Sequence, residues 1–338
     1  MKIFRKLLLG GLLAGIVGLL AIFGFVIFNE PRGSSTPVHI IDIPPGTTFT
    51  QVAHLFQEKG LLGPEWFFKV LGRVQQVDRK IIPGEYELHA GMRPTELLAK
   101  LVAGEVYQHS VTIPEGYNVV QIADILEQKG LAEKREILRL NRDSAFIASL
   151  NIKASTLEGY LFPDTYRFAR YTPPEFIVRT FVSRFHEMVT PELQAQAKAM
   201  GMTLQEVLTL ASVVEKETGL ASERPLVSGV FHNRLRQNIP LQSDPTVIYA
   251  LEFFDGNIRK TDLSVNSPYN TYRVRGLPPG PIANPGLAAI QAALFPTPSE
   301  FVYFVSRNDG SHKFSATLTE HNKAVDKYQR RPRSKQPS

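Results

Sequence analysis

Between Arg5-Lys6 and Asn29 the sequence runs through 22 residues, 7–28, without one charged side chain. In hydrocarbon every backbone amide and carbonyl must be satisfied within the segment itself, which leaves a helix as the only single-segment solution. At about 1.5 Å per residue such a helix reaches about 33 Å, enough to cross a hydrocarbon core of about 30 Å. A cleaved secretory segment carries a shorter apolar run, roughly 7–15 residues, followed by a small-x-small site. Here the run is longer and ends in Val26-Ile27-Phe28. A retained transmembrane anchor over residues 7–28 is therefore expected. Lys2, Arg5 and Lys6 precede it, which places residues 1–6 in the cytoplasm and everything after the anchor outside. The expected address is the cytoplasmic (inner) membrane, single-pass, with the bulk of the chain in the periplasm or extracytoplasmic space.

Composition narrows the classes. A length of 338 residues suggests about two domains, and 43% hydrophobic with 21% charged residues is ordinary for globular folds. The net charge of +6 comes without a basic run interleaved with aromatics, so a nucleic-acid partner is not expected, whereas anionic lipid or cell-wall polymer fits. The absence of cysteine excludes disulfides and a lipidated N-terminal cysteine.

Residues 29–37 read as a polar linker, and an internal repeat follows. Ile43-Pro44-Pro45-Gly46, Gln51-Val52-Ala53-His54-Leu55-Phe56 and Lys59-Gly60-Leu61 return 70 residues later as Ile113-Pro114-Glu115-Gly116, Gln121-Ile122-Ala123-Asp124-Ile125-Leu126 and Lys129-Gly130-Leu131. Each copy predicts a strand, a Pro/Gly turn and an amphipathic helix closed by glycine. Between them, residues 83–88 read as a strand and 95–101 as a helix. This pattern resembles the LysM family of cell-wall glycan-binding modules over about 40 residues per copy. The expected class is α+β: the transmembrane helix, a LysM-like α+β region over 38–150, a mixed helical region with a few strands over 151–326, and a basic, disordered tail over 327–338.

The chemistry gathers around residues 208–219, Leu-Thr-Leu-Ala-Ser-Val-Val-Glu-Lys-Glu-Thr-Gly. Thr203 and Glu206 form a capping-box pattern that starts a helix, and Gly219 is placed to stop it. Helices are expected before it at 174–189 and 191–200, and after it at 225–236. The central helix is apolar on nearly every side and must be buried, so a carboxylate where it surfaces should have a raised pKa, as a general acid requires. At about 100° per residue Glu215 and Glu217 lie about 200° apart and cannot share a face. Geometry does not choose between them, because both extend apolar stripes. One of them can equally be a structural partner for Arg224, Arg234 or Lys216.

Downstream, Asp244 sits where an N-cap is expected, with Pro245 at the first helical position. Residues 267–272 form a polar-aromatic loop, and 276–286 hold four prolines and three glycines in eleven residues. Asn284-Pro285 is expected to cap a helix over 287–294. Rigid loops carrying Asn, Gln, Asp and Tyr suit a groove that hydrogen-bonds hydroxyls and stacks on sugar faces.

Val213-Val214-Glu215-Lys216-Glu217-Thr218, the segment 241–249 (Leu-Gln-Ser-Asp-Pro-Thr-Val-Ile-Tyr), Tyr269-Asn270-Thr271-Tyr272 and the segment 276–282 (Gly-Leu-Pro-Pro-Gly-Pro-Ile) together closely resemble the MltG or YceG-like family of endolytic peptidoglycan transglycosylases, from about Val38 to Tyr328. The resemblance implies a lysozyme-related catalytic region, with Glu217 as the catalytic acid. It implies non-hydrolytic cleavage between N-acetylmuramic acid and N-acetylglucosamine, giving 1,6-anhydro ends. Glu217 would protonate the leaving oxygen and then deprotonate the muramyl 6-hydroxyl. Gln242, Asp244, Asn270 and Tyr272 are the expected sugar contacts, Glu158 a second polar wall, and Glu215 and Thr218 supporting residues. No cofactor is expected. His312 and His321 have no third ligand at metal-binding spacing and are read as structural or groove-lining, beside a strand at 301–305. The implied partners are glycan strands and the glycan-polymerising and cross-linking synthases. The competing reading is a non-catalytic peptidoglycan-binding scaffold.

Overall fold

The computed structural model describes residues 2–77 and 79–330. The chain is mostly helical, and its strands form small two-stranded pairs rather than one sheet. Helices therefore dominate the expected α+β character. Residues 331–338 of the expected tail lie outside the described residues, while Asp326–Arg330 forms one π-helical turn.

Compactness divides the chain into two units, at a different place from the boundary expected at 150/151. The first holds the described residues up to His109 with Arg167–Thr172; the second holds Ser110–Tyr166 and the described residues from Pro173. The first unit begins with α1 (Lys2–Phe28), a helix long and apolar enough to cross a membrane. Then come β1 (His39–Ile43), α2 (Phe49–Glu58), α3 (Glu65–Val74), β2 (Gly84–Leu88) and α4 (Pro94–Ala103). β1 and β2 pair antiparallel, His39 opposite Leu88 and Ile43 opposite Gly84. Alternation puts Ile41 and Ile43 inward, onto a core of Phe49, Phe56, Phe68, Tyr86 and Leu97. Arg167–Thr172 is held in this unit by Arg170 on Glu85 at 3.1 Å and by the Tyr171 hydroxyl on Asp42 at 2.8 Å.

The second unit contains the second copy of the repeat: the end of β3 (Gln108–Thr112), α5 (Val119–Gln128), α6 (Lys134–Leu140) and α7 (Ser144–Ser149). Next come the first two residues of β4 (Thr165–Ala169), the neighbour of β3, then α8 (Pro174–Met188), α9 (Pro191–Ala199), α10 (Leu204–Glu217), α11 (Arg224–Arg236), α12 (Asp244–Ala250), α13 (Leu287–Leu294), β5 (Tyr303–Ser306), β6 (His312–Ser315) and α14 (Leu318–Val325). β5 and β6 pair antiparallel, two residues beyond the start expected for that strand.

The repeat is exact in its capping. Thr48 and Gln51 box the start of α2, and Asn118 and Gln121 box the start of α5. Both helices end at a lysine followed by a glycine at positive φ, Gly60 (70°) and Gly130 (65°).

α10 is the axis of the second unit. Eight consecutive residues, Val207 to Val214, are buried, as a helix apolar on all sides requires. It packs on α13, α11, α12 and α9. Its two buried hydroxyls are satisfied: Thr209 Oγ1 donates to the Gln205 carbonyl at 2.7 Å, and Ser212 Oγ donates to the Thr209 carbonyl at 2.7 Å. The Thr203–Glu206 capping box forms as expected. The stop does not fall on Gly219: the helix ends at Glu217, and Thr218 leaves in extended conformation (φ −139°, ψ 130°).

Candidate functional site at the end of the central helix

Because α10 ends at Glu217, both carboxylates of the Glu-Lys-Glu motif stand in its last turn. There the unpaired carbonyls give the helix a partial negative charge that disfavours further negative charge. Their divergence of about 200° sends them to opposite sides of the helix, and the surroundings separate two roles that spacing left open.

Glu215 is a buried ion pair. Its side chain is 5% exposed and accepts from Arg224 at 2.7 Å and from the Gly286 amide at 3.0 Å. Burial raises its pKa, while the Gly286 amide and Arg224 oppose the rise. Arg224 also reaches Glu115 at 3.5 Å, and Lys216 donates to the Gly116 carbonyl at 3.3 Å. A Cβ on Gly286 would lie 1.9 Å from Glu115 Oε1, so a side chain there would displace the Glu115 carboxylate.

Glu217 faces the N-terminus of α12. Ser243 Oγ donates to its Oε1, and its Oε2 accepts from no group among the described residues. The residue stays partly accessible at the surface. Desolvation pushes its carboxyl up to about 7; the Ser243 hydrogen bond and the Arg234 charge oppose that rise, and the Asp244 charge adds to it. A carboxyl with that pKa exchanges a proton near neutral pH.

The motif at 241–249 and the loop at 269–272 meet at this point. The Gln242 amide donates to the Thr271 carbonyl at 3.1 Å, and the Ser243 amide donates to Thr271 Oγ1 at 3.0 Å. Tyr272 donates its hydroxyl to Asp244 Oδ1 at 2.6 Å. Gln242 is exposed with φ 49°, a left-handed conformation rare outside glycine. Thr218 is buried, and its hydroxyl accepts from the Leu220 amide at 3.1 Å, which sets the turn out of α10.

Two expected sugar contacts are placed elsewhere. Asn270 is fully buried; its amide nitrogen donates to the Leu263 and Val265 carbonyls, and its oxygen accepts from the Tyr272 amide. It shapes the loop and presents nothing to solvent. Glu158 is 4% exposed and accepts from the Val119 amide, Asn284 Nδ2 and the Tyr249 hydroxyl. It is an interior hub, not a groove wall, and burial raises its pKa to about 8 against the pull of those donors.

The helix starts also move by one or two residues. Ser243, not Asp244, caps α12, and it makes no capping bond because its hydroxyl is on Glu217. Gly286, not Asn284, precedes α13; the Asn284 side chain instead accepts from the Gly159 and Leu161 amides, each at 2.9 Å, and donates to the Tyr117 carbonyl.

Two residues that sequence reasoning did not place in the site belong to it. Ser243 stood between two expected contacts, and its polarity just before an Asp-Pro start was the available signal. The sequence offers Arg234 only as one of three structural partners for a glutamate. It is 7% exposed, donates to the Val302 carbonyl at 2.6 Å and to the Leu241 carbonyl at 2.7 Å, and sends its field to Glu217 and Tyr272. His312 pairs with Glu223 at 2.7 Å, and His321 stacks on Tyr303. A cavity of about 950 Å³ lined by Met200, Glu206, His232, Arg236, Leu277 and Pro298 includes neither Glu215 nor Glu217.

Over residues 41–327 the sequence matches the YceG-like family. It is 33% identical over 330 residues to the endolytic murein transglycosylase of Bacillus subtilis strain 168, a match covering 93% of this chain and 91% of that protein. It is 31% identical over 318 residues to the endolytic murein transglycosylase of Streptococcus pneumoniae serotype 2 strain D39, covering 84% of this chain and 57% of that longer protein. The crystal structure of a yceG-like protein from Listeria monocytogenes matches with a TM-score of 0.59 at 31% identity, over 85% of this chain and 98% of that one. With the family matched across most of its length and the Bacillus relative aligned over more than nine-tenths of both chains, the chain belongs to the YceG-like family.

Proposed function

We propose that this chain is a membrane-anchored endolytic murein transglycosylase and that Glu217 is its general acid and then its base. The observation that carries the reading is the Glu217 carboxyl itself: at the exit of a buried helix, with one oxygen held by Ser243, the other free of partners among the described residues, and its pKa pushed up to about 7. Protonated Glu217 donates to the glycosidic oxygen as the bond from the muramyl anomeric carbon breaks, and the N-acetylglucosamine side leaves as an alcohol. The carboxylate then takes the proton of the muramyl 6-hydroxyl while that oxygen bonds to the anomeric carbon. The product is a 1,6-anhydro end, and no water enters. An attacking hydroxyl already on the substrate supplies the proximity that a second catalytic carboxylate and its water supply in ordinary glycosidases.

Gln242, the Asp244–Tyr272 pair and Arg234 are assigned to sugar binding and to the field around Glu217. Asn270, Thr218 and Glu215 hold the backbone that positions it. The LysM-like copies would engage glycan, and α1 would hold the protein in the cytoplasmic membrane near the synthases that make its substrate. On uncross-linked glycan strands, Glu217→Gln should lower the release of anhydro-ended fragments by about 10²–10⁴-fold. The wild-type rate should fall with pH above about 7 as Glu217 loses its proton. Undiminished release by Glu217→Gln sinks the mechanism, and wild-type protein that binds strands without cleaving them makes it the scaffold instead.

A further inference from the structure

In the first unit, α3 buries Phe67, Phe68, Leu71 and Gly72 against the core. Its opposite face is not the polar surface such a helix normally shows. Trp66 is 51% exposed, Val70 49% and Val74 75%. Spaced four residues apart, they form one stripe along the helix. Lys69 and Arg73 flank the stripe; Lys69 is paired with Glu65 at 2.8 Å, and Arg73 is exposed.

The stripe sits at the end of α1. The Phe28 ring packs on Trp66 at 5.0 Å and on Phe67 at 5.8 Å, and Phe25 packs on Phe67 at 6.1 Å. Asn29 ties that end to α4 by accepting from the Thr95 amide at 3.2 Å. Whatever surrounds the last turn of α1 also surrounds Trp66, where the stripe of α3 begins. The uncharged run 7–28 is about 33 Å long as a helix against a hydrocarbon core of about 30 Å, so its end at Phe28 reaches the headgroup layer. Tryptophan concentrates in that layer, and helices with an apolar stripe flanked by basic residues lie flat in it.

We propose that α3 lies in the outer-leaflet lipid interface, with Trp66, Val70 and Val74 turned toward the acyl chains. The first unit is then seated on the membrane rather than swinging on a tether. This rests on α1 being a retained anchor. Trp66 is the single tryptophan of the sequence, so its fluorescence reports α3 alone. With the full chain reconstituted in phospholipid vesicles, lipids brominated on the acyl chains should quench Trp66 by about half or more, and acrylamide should quench it little. Val70→Glu with Val74→Glu should cut the bromolipid quenching at least twofold while leaving the tryptophan in place. Quenching by acrylamide alone overturns the proposal. Protection from both quenchers does so too, since it places a protein surface, such as a second copy, over the stripe. Unchanged bromolipid quenching in the double variant also overturns it, because Phe28 alone would then hold Trp66 near lipid. Alkaline carbonate extraction reads the anchor separately: a chain released from the membrane removes the anchor reading, and a chain retained but insensitive to bromolipid overturns only the seating of α3.

Discussion

In the first copy of the repeat, Pro44-Pro45-Gly46 turns in open space, and a Cβ added to Gly46 would meet nothing within 4 Å. In the second copy, Pro114-Glu115-Gly116 turns against the last turn of α10. A Cβ on Gly116 would meet Glu215 Cγ and Lys216 Cδ, each at 3.4 Å. The Gly116 amide donates to the Asn284 carbonyl at 2.9 Å, and the Val119 amide, at the start of α5, donates to Glu158. Local structure is the same in both, down to the capping boxes and the left-handed glycine after each helix. A repeat thus fixes strand, turn and helix through short-range sequence, while its role depends on what packs against its backbone. The second copy belongs to the unit that carries Glu215 and Glu217, and its turn and helix start are tied to Asn284, Lys216 and Glu158 around them.

The largest break in this comparison should come from Arg224→Leu. That substitution leaves Glu215, 5% exposed, with the Gly286 amide but without its counter-charge. Removing one partner of a buried pair costs about 3–5 kcal/mol. Hydrogen exchange at the α10 amides should therefore accelerate more than about a hundredfold, while exchange in α2 of the first copy stays unchanged. Equal acceleration in both helices would mean that the two copies do not stand in separately stable surroundings.

A smaller difference follows from Glu158. Its folded-state pKa, about 8, lies above the ordinary 4.5. The stability linked to its proton is therefore complete below about pH 4.5 and is lost as pH rises through 8. The second unit should weaken by a few kcal/mol, in order of magnitude, as pH rises from 6 to about 9, and Glu158→Gln should remove much of that slope. Glu217, at about 7, adds to the same fall, so the residual slope in Glu158→Gln should shrink further in the variant that also carries Glu217→Gln. Unfolding followed at pH 6 and pH 9 checks both, and a wild-type second unit equally stable at the two values contradicts the buried, protonated state of Glu158.

What could be read in the sequence is local or periodic. The repeat, the buried α10 with its capping box and the naming of Arg224, beside Arg234 and Lys216, as a partner for one glutamate rest on spacing and residue type, while the grouping of 241–249 with 269–272 rests on the family resemblance. What escaped depends on tertiary partners. Asp244 and Asn284 looked like caps because both types commonly are, but Ser243 takes the position before α12 and turns its hydroxyl to Glu217, while Asn284 binds the Gly159 and Leu161 amides. Asn270 looked like a sugar ligand because an amide in a polar loop is usually exposed, yet three backbone groups enclose it. Glu158 looked like a groove residue because nothing in its neighbourhood says that Tyr249 and Asn284, more than 90 positions on, will cover it. No local pattern marks Arg234, whose acceptors are carbonyls on separate segments.

The smallest expected effect is the most specific. Glu115→Pro rebuilds in the second copy the Pro-Pro-Gly turn of the first. The Glu115 amide donates to no backbone carbonyl among the described residues, so proline removes no bond there. Its carboxylate is 48% exposed and 3.5 Å from Arg224, and an exposed pair of that kind contributes about 0–1 kcal/mol. Its charge also raises the pKa of Glu215, so removing it favours ionised Glu215 and tightens the pair with Arg224, offsetting part of the loss. The variant should stay within about 0.5 kcal/mol of wild type in the unfolding of the second unit and cleave glycan at an unchanged rate. A loss above about 1 kcal/mol, or a fall in cleavage with the fold intact, would move the role of the second copy from the backbone amides of Gly116 and Val119 to the Glu115 side chain, the one residue of the turn that the two copies do not share.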